Sequence, residues 1–210
     1  MKRWARMALL VAVVGSTAVG AQPSPMRRPV APYVVSGCPF ECCRYGAWRF
    51  ALPVALRTRP RADAPITARV PARARVRGDS GHVRVTTIGR VAADRDFVDP
   101  DGGGRYIGGD TILVLDYLGE GFFHVWVRGE RRQLLLADVL SGFGPPVPNE
   151  ARALRELEAP VSEWWVHVTA PPAKRGGAAR RGWVLVTDDL DIRGADSCGG
   201  PDAAIREMSS

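Results

Sequence analysis

The sequence has only two lysines, Lys2 and Lys174, so almost all of its 29 basic side chains are arginines. The formal net charge of +7 falls to +4 without the first 21 residues, since 26 basic and 22 acidic residues then remain. The arginines are scattered along the chain and do not form one basic helical face with interleaved aromatics. The sequence therefore argues against nucleic-acid binding, and the mild positive charge suits an anionic cell-envelope polymer better.

No apolar run reaches the ~20 residues that a membrane-spanning helix needs. The N-terminus instead has a basic start, a short apolar stretch from Met7 and the small residues Val19-Gly20-Ala21, a pattern typical of a secretory signal peptide. We therefore expect residues 1–21 to be a cleavable signal peptide of a periplasmic or secreted protein, with no transmembrane segment in the mature chain. Residues 22–36 are rich in proline and predict an extended leader.

Cysteine is scarce, with three residues clustered at Cys38, Cys42 and Cys43 and the fourth at Cys198. The cluster lacks a Cys-x-x-Cys redox motif and the second ligand pair of a zinc site. Four cysteines in an exported chain favour two disulfides, and a bond between the adjacent Cys42 and Cys43 would be strained. Two pairings stay open, Cys38–Cys42 with Cys43–Cys198 or Cys38–Cys43 with Cys42–Cys198, and either joins the first element to the last.

The three histidines open similar phrases, "HVRV" at His82, "HVWV" at His124 and "HVTA" at His167. Strand alternation places each histidine on the face opposite the valines that follow it. No carboxylate stands nearby in the sequence to orient an imidazole for a metal, and no nucleophile is paired with a histidine. We therefore interpret the histidines as solvent-side strand positions and predict a protein without catalytic residues, metal or cofactor.

Two further motifs have a structural interpretation. The stretch Arg77–His82 contains Gly-Asp-Ser-Gly, the phrase around the nucleophile of chymotrypsin-like proteases, but no histidine precedes Ser80, and we predict a β-turn. The stretch Asp94–Gly104 has four carboxylates without the spacing of an EF-hand, which predicts a polar loop.

Short runs rich in β-branched and aromatic residues, bounded by Gly, Pro and Asp, predict strands along most of the chain. Only Pro148–Pro160 is typical of a helix, with Asn149 as a cap and with Leu154 and Leu157 on one face. The pattern therefore predicts an all-β architecture with one short connecting helix.

The phrase "VALRTRPRADAPI" resembles the opening of bacterial Src-homology-3-like domains, which are small extracytoplasmic β-barrels. The matching residues are Val54, Leu56, Arg57, Thr58, Pro60, Pro65 and Ile66. Further along, Gly108–Trp126 is similar to that family's Gly-Asp, strand, tight turn and Trp-bearing strand, and Trp164–Leu185 resembles its closing hairpin. The resemblance implies one or more small barrel units and a role in binding peptides or cell-wall material.

These signals predict a division of the mature chain. Residues 37–144 are expected to form a Src-homology-3-like β domain that carries the cysteine cluster. Residues 145–160 are expected to be a linker with the short helix, and residues 161–198 a second β unit or the completion of the first. The last residues, 199–210, are expected to be a disordered tail.

Aromatic side chains are the predicted binding feature. Trp164 and Trp165 are adjacent, so a regular strand turns them to opposite faces and at least one becomes a groove or interface candidate. We predict that Trp164 or Trp165, together with Tyr117, lines a groove for an extended peptide or glycan strand.

The expected function is that of an exported, non-catalytic binding or interaction module of the cell envelope, with peptide or cell-wall material as its ligand. An alternative is a structural or assembly partner of another envelope protein, and a third is a small thiol- or metal-dependent enzyme.

Overall fold

The computed structural model describes residues 27–100, 104–141 and 153–196. Over these ranges the protein is all-β, includes a sheet curled as a half-barrel, and has a single 3-10 turn at Asp188–Leu190. The strands are β1 (Tyr33–Ser36), β2 (Gly46–Phe50), β3 (Val54–Arg57), β4 (Ile66–Val70), β5 (Arg75–Thr87), β6 (Gly89–Ala93), β7 (Phe97–Val98), β8 (Arg105–Tyr106), β9 (Thr111–Gly119), β10 (Phe122–Val127), β11 (Glu130–Leu135), β12 (Leu154–Glu158), β13 (Val161–Ala170), β14 (Arg180–Val186) and β15 (Ile192–Arg193). None of the described residues belongs to a helix with the length and apolar character needed to cross a membrane.

The first sheet is built around the long strand β5. Its order is β15-β2-β5-β13-β14-β3-β4, and β1 also pairs with β5. One edge of β5 pairs with β13, so β2 and β1 share the other edge, β2 along Arg75–Gly78 and β1 along His82–Val85. Strands β13 and β14 lie between β5 and β3, so residues 161–186 complete the first sheet.

Alternating apolar residues on these strands form the core of the first sheet. Its largest members are Trp48, Phe50, Leu56 and Trp164.

Two glycines explain why Arg77–His82 is part of β5 and does not form the predicted turn. A Cβ atom at Gly78 would lie 2.8 Å from the ring of Trp48, and one at Gly81 would lie 2.7 Å from Nε1 of Trp164. The glycines therefore allow both indoles to pack directly on the backbone of β5, and the prediction of a β-turn here is wrong.

The second sheet has the order β11-β10-β9-β6-β12. Its core is formed by buried residues from its five strands, from β8 and from the segment after β11: Val91, Ala93, Tyr106, Ile112, Val114, Phe123, Val125, Val127, Leu134, Leu136, Val139, Leu140 and Leu154. A smaller cluster of Leu113, Leu115 and Trp126 packs against Tyr33 of β1. This cluster connects the second sheet to the first.

Strand β12 replaces part of the predicted helix Pro148–Pro160. It pairs antiparallel with β6, and Leu154 is buried in the second core. Glu158 accepts a hydrogen bond from Arg90 of β6 at 3.0 Å. The helix prediction is wrong for residues 154–158 because pairing with the edge of β6 stabilises the extended chain; residues 142–152 lie outside the described residues.

The cysteine cluster contains the disulfide Cys38–Cys43, with the two Cα atoms 6.0 Å apart. This bond excludes the predicted alternative Cys38–Cys42. Cys42 is disulfide-bonded as well, and Cys198 lies outside the described residues. The chain near residue 196 returns to the cluster, because Cys43 forms an isolated β-bridge with Asp196 and the amide of Arg44 donates to the carbonyl of Ala195 at 2.8 Å.

The predicted leader and tail are described only in part. Residues 33–36 of the leader 22–36 form β1 and are therefore a part of the first sheet. The predicted signal peptide 1–21 and the tail 199–210 lie outside the described residues.

Candidate functional site

A β-bulge on β9 positions the acidic residue of the site. Phe123 pairs with Tyr117 and Val125 with Val114, so both Leu115 and Asp116 stand opposite His124. Such a bulge adds one residue to a strand and redirects its side chains. Asp116 is thereby placed beside the imidazole of His124.

Arg131 reaches the same point from β11. It pairs with Trp126, and Gln133 pairs with His124, so Arg131 and His124 are diagonal neighbours on β11 and β10. Diagonal neighbours lie about 7–8 Å apart, within reach of long side chains. The three strands of the β9-β10-β11 meander therefore contribute one ionisable side chain each.

Asp116 is the centre of a buried polar network, with 6% of its side chain exposed. Its Oδ2 atom lies 2.7 Å from Nδ1 of His124. Its Oδ1 atom accepts hydrogen bonds from the hydroxyl of Tyr33 at 3.3 Å and from Nη2 of Arg131 at 3.4 Å. A buried carboxylate needs such partners, because burying an unpaired charge is very unfavourable.

The tautomer of His124 is assigned from its contacts. Nδ1 lies 2.7 Å from Asp116 and 2.8 Å from Nη2 of Arg131, but a guanidinium only donates and one ring nitrogen cannot both donate and accept. The shorter contact with a carboxylate assigns the proton to Nδ1, which donates to Asp116, while Arg131 donates to Oδ1 of Asp116. Nε2 is then the ring nitrogen left for a ligand.

Tyr33 closes the network from the first sheet. Burial, with the charge and the hydrogen bond of Asp116, raises the pKa of the Tyr33 hydroxyl well above its ordinary value. The hydroxyl therefore stays protonated and donates to Asp116 at any physiological pH.

Asp116, His124 and Arg131 lie in the wall of a cavity of about 360 Å³ between the two sheets, here called the inter-sheet cleft. The lining is mixed, with apolar residues interrupted by a few polar ones: Val35, Ser36, Cys38, Pro39, Val83, Leu115, Asp116, Tyr117, Leu118, Phe123, His124, Arg131, Pro160 and Ser162. An apolar cleft with a few convergent polar groups is the usual form of a small-ligand site.

The disulfide loop Cys38–Cys43 forms one side of the cleft and is attached to the β9–β10 turn by Glu41. Oε1 of Glu41 accepts hydrogen bonds from the hydroxyl of Tyr117 at 2.7 Å and from the amide of Glu120. The bond from Tyr117, followed by the amide of Glu120, lowers the pKa of Glu41.

A shallower cavity of about 650 Å³, here called the hairpin groove, lies at the β9–β10 turn. It is lined by Glu41, Cys42, Leu118, Gly119, Glu120, Phe122 and Gln133, and it shares Leu118 with the inter-sheet cleft.

The structure separates the three aromatic residues predicted to bind a ligand. Tyr117 lines the inter-sheet cleft. Trp164 is 6% exposed and packs in the first core with its ring 5.9 Å from that of Trp48. Trp165 is 1% exposed, with its Nε1 donating to Glu163 at 2.9 Å. Both indoles are therefore interior residues, and neither lines the cleft or the groove.

The histidines are not simple solvent-side positions. Besides His124 with Asp116, Nδ1 of His167 lies 3.2 Å from Asp79, which also accepts a bond from Thr169 at 2.7 Å. Burial would raise the pKa of Asp79, but the hydrogen bonds from Thr169, Arg77 and His167 outweigh it and lower that pKa. The expectation that no carboxylate orients an imidazole is therefore wrong for two of the three.

His82 and His167 both contact the ring of Trp183, at centroid distances of 4.6 and 5.3 Å. Trp183 pairs directly with His167, whereas His82 is on β5, beyond β13. The indole of Trp183 therefore extends over β13, and this cluster packs the outer face of the first sheet.

The carboxylates of Asp94–Gly104 that the structure describes form hydrogen bonds and ion pairs within the protein. Asp96 accepts hydrogen bonds from the amide of Gly108 at 2.9 Å and from Arg105 at 3.4 Å, and Asp94 lies 3.5 Å from Arg155. Among the described residues no group of three or more His, Cys, Asp or Glu side chains is arranged to hold a metal ion.

No protein-family model, no curated protein and no solved structure matches this chain.

Proposed function

We propose that the protein is an exported, non-catalytic binding module of the cell envelope that takes peptide or cell-wall material in the inter-sheet cleft. The observation that carries this proposal is the group of Asp116, His124 and Arg131 in the wall of that cleft, which Tyr33 joins through its hydrogen bond to Asp116.

The network supports a binding role because the core does not need it. Replacing a buried ionic group by packed apolar side chains is often neutral or stabilising in proteins. A group of this kind that lines a cavity is a functional-site candidate. Here Asp116 fixes the positions of His124 and Arg131, whose remaining nitrogens are suited to donate to or accept from a polar ligand.

The cleft is suited to a peptide or a wall fragment in size and lining. Its volume of about 360 Å³ is at the lower end of the range for ligand sites, about 300–1,000 Å³. Val35, Leu118 and Pro160 provide apolar walls for aliphatic groups, and the polar network recognises amide, hydroxyl or carboxylate groups.

The proposal also includes the Src-homology-3-like character of the fold. Two of the phrases that resemble that family form antiparallel hairpins, β3–β4 from the opening phrase and β13–β14 from the closing one, and both hairpins belong to the first sheet.

Co-sedimentation with purified peptidoglycan tests the proposal. Residues 22–210 are incubated with the insoluble polymer, and the bound fraction is compared between wild type, Arg131→Gln and Arg132→Gln. Arg132 is the matched control, because it neighbours Arg131 but contacts Glu130 and the ring of Tyr106 on the other face of β11.

We expect wild type and Arg132→Gln to sediment with the polymer and Arg131→Gln to remain mostly in solution. Equal sedimentation of all three proteins would place binding elsewhere. Recovery of wild type only in a complex with another envelope protein, without affinity for the isolated polymer, would favour the assembly role instead.

A second candidate function, acid–base catalysis, is favoured by the pairing of Asp116 with His124. An aspartate that orients Nδ1 of a histidine leaves Nε2 to act as a base, and Ser36 and Ser162 line the same cleft. Mass spectrometry of soluble wall peptides incubated with the protein tests this candidate. Products that form with wild type and are lost with His124→Gln would support it, and intact peptides would exclude it for those substrates.

A further inference from the structure

We infer that the inter-sheet cleft and the hairpin groove together bind a short peptide by both of its charged ends. The carboxylate lies at Arg131, and the amino group lies at Glu120. This inference rests on the proposed function and specifies its ligand.

The two cavities form consecutive parts of one path along β9. Asp116 and Tyr117 line the inter-sheet cleft, Gly119 and Glu120 line the hairpin groove, and Leu118 lines both. The disulfide loop Cys38–Cys43 contributes lining residues in the same order. Cys38 and Pro39 line the cleft, and Glu41 and Cys42 line the groove. The two cavities are therefore adjacent along β9 and meet at Leu118.

The cleft end of this path is rich in donors. Asp116 is already engaged by Tyr33, His124 and Arg131, so it is not available to accept from a ligand amine. The contacts of Arg131 with described residues use Nη2 alone, which leaves donors of its guanidinium for a ligand carboxylate.

The groove end has the opposite charge. Glu41 and Glu120 both line the hairpin groove. Glu41 binds the hydroxyl of Tyr117, whereas the carboxylate of Glu120 forms no hydrogen bond or ion pair with the part of the chain that is described. Glu120 therefore offers its whole carboxylate to a ligand ammonium group, whereas Glu41 offers Oε2 alone.

The separation of the two ends sets the length of the ligand. From Asp116 to Gly119, where β9 ends, the strand advances three residues, roughly 10 Å at about 3.3 Å per residue, and the side chain of Glu120 extends from the turn that follows. An extended peptide spans at most about 3.3–3.6 Å per residue, so about four residues reach from one end to the other. Small apolar side chains in the middle fit beside Leu118.

Calorimetric titration of residues 22–210 with tetra-alanine, N-acetyl-tetra-alanine and tetra-alanine amide tests this inference, with NMR shifts locating the site. We expect each cap to weaken binding about 1.5-fold to fivefold, the range of an exposed ion pair. In Arg131→Gln the amide should no longer weaken binding, and in Glu120→Gln the acetyl group should no longer weaken it. Arg132→Gln should keep both preferences.

Three results would overturn the inference. Equal affinity for free and capped peptides at the cleft would exclude recognition of the two ends and leave the proposed function intact. Absence of tetra-alanine binding, while peptidoglycan still binds in an Arg131-dependent manner, would reject the peptide ends but not the cleft. Absence of both kinds of binding would reject the inference and the proposed function together.

Discussion

The carboxylate of Glu41 accepts a hydrogen bond from the hydroxyl of Tyr117 at 2.7 Å and a second from the amide of Glu120, and so attaches the disulfide loop to the β9–β10 turn. These contacts join residues 76 and 79 positions apart in the chain. Residues of the loop line both cavities, and one exposed carboxylate attaches the loop to the turn.

This attachment should be lost in acid. The folded state holds the pKa of Glu41 below its ordinary value of 4.5, mainly through Tyr117. A depressed carboxyl pKa stabilises the folded arrangement above the unfolded pKa, and the stabilisation disappears as pH falls through the folded pKa. The amide shift of Glu120 should therefore titrate with a midpoint below 4.5, measured by NMR from pH 6 to pH 2. The transition should vanish in Glu41→Gln, and a midpoint at or above 4.5 would contradict the attachment.

Removing Asp116 should destabilise the fold. Asp116→Ala leaves the hydroxyl of Tyr33 and the Nδ1–H of His124 without their acceptor, and hydrogen bonds to charged groups contribute about 1.5–3 kcal/mol each in proteins. Partial exposure of His124 reduces this, so we expect a loss of about 1–3 kcal/mol. Urea unfolding measures it.

The control is Asp63→Ala, since Asp63 is exposed and its side chain pairs with Arg61. Its effect should stay within about 0.5 kcal/mol. Equal effects of the two substitutions would contradict a buried, stabilising role for Asp116.

A methyl group at position 78 should also destabilise the protein. In Gly78→Ala the new Cβ would lie 2.8–2.9 Å from three atoms of the Trp48 ring, so the ring or the strand must move. Overpacking of this kind costs about 1–3 kcal/mol. The control is Gly177→Ala, where the nearest atom would be 3.2 Å away in the β13–β14 turn. A thermal midpoint of Gly78→Ala no lower than that of the control would contradict the close packing of Trp48.

Local patterns in the sequence predict the strands well because alternation and turn residues act over a few neighbouring positions. The all-β architecture follows from such patterns, and so do the β9–β10 and β13–β14 hairpins. The helix prediction failed around Leu154 because residues 154–158 have a weak helical pattern, whereas pairing with β6 stabilises them as a strand.

The candidate site depends on contacts that local patterns do not contain. Asp116 stands next to His124 only because a bulge shifts the register of β9, and Tyr33 reaches Asp116 from 83 positions away. Tyr117 was predicted from its place among aromatics, whereas Arg131 had no distinguishing signal among many scattered arginines. Trp164 is buried in the first core, and Trp165 is buried on the opposite face of the same sheet. That sheet combines strands from both halves of the chain, so local patterns do not predict either burial.

The pairing of Cys42 with Cys198 is the remaining prediction. Cys38 is bonded to Cys43, so Cys198 is the one cysteine left to pair with Cys42. Residues 192–196 already lie beside β2 and Cys43. A bond that closes so long a loop contributes on the order of 5 kcal/mol in the chain-entropy model. Trypsin without reduction should therefore yield residues 28–44 linked to residues 194–206, detected by mass spectrometry. In Cys42→Ser the two peptides should separate while Cys38–Cys43 persists. A free 194–206 peptide from the unreduced wild type would contradict the pairing, and the two ends of the chain would then be held together by β15 and the Cys43–Asp196 bridge without a covalent bond.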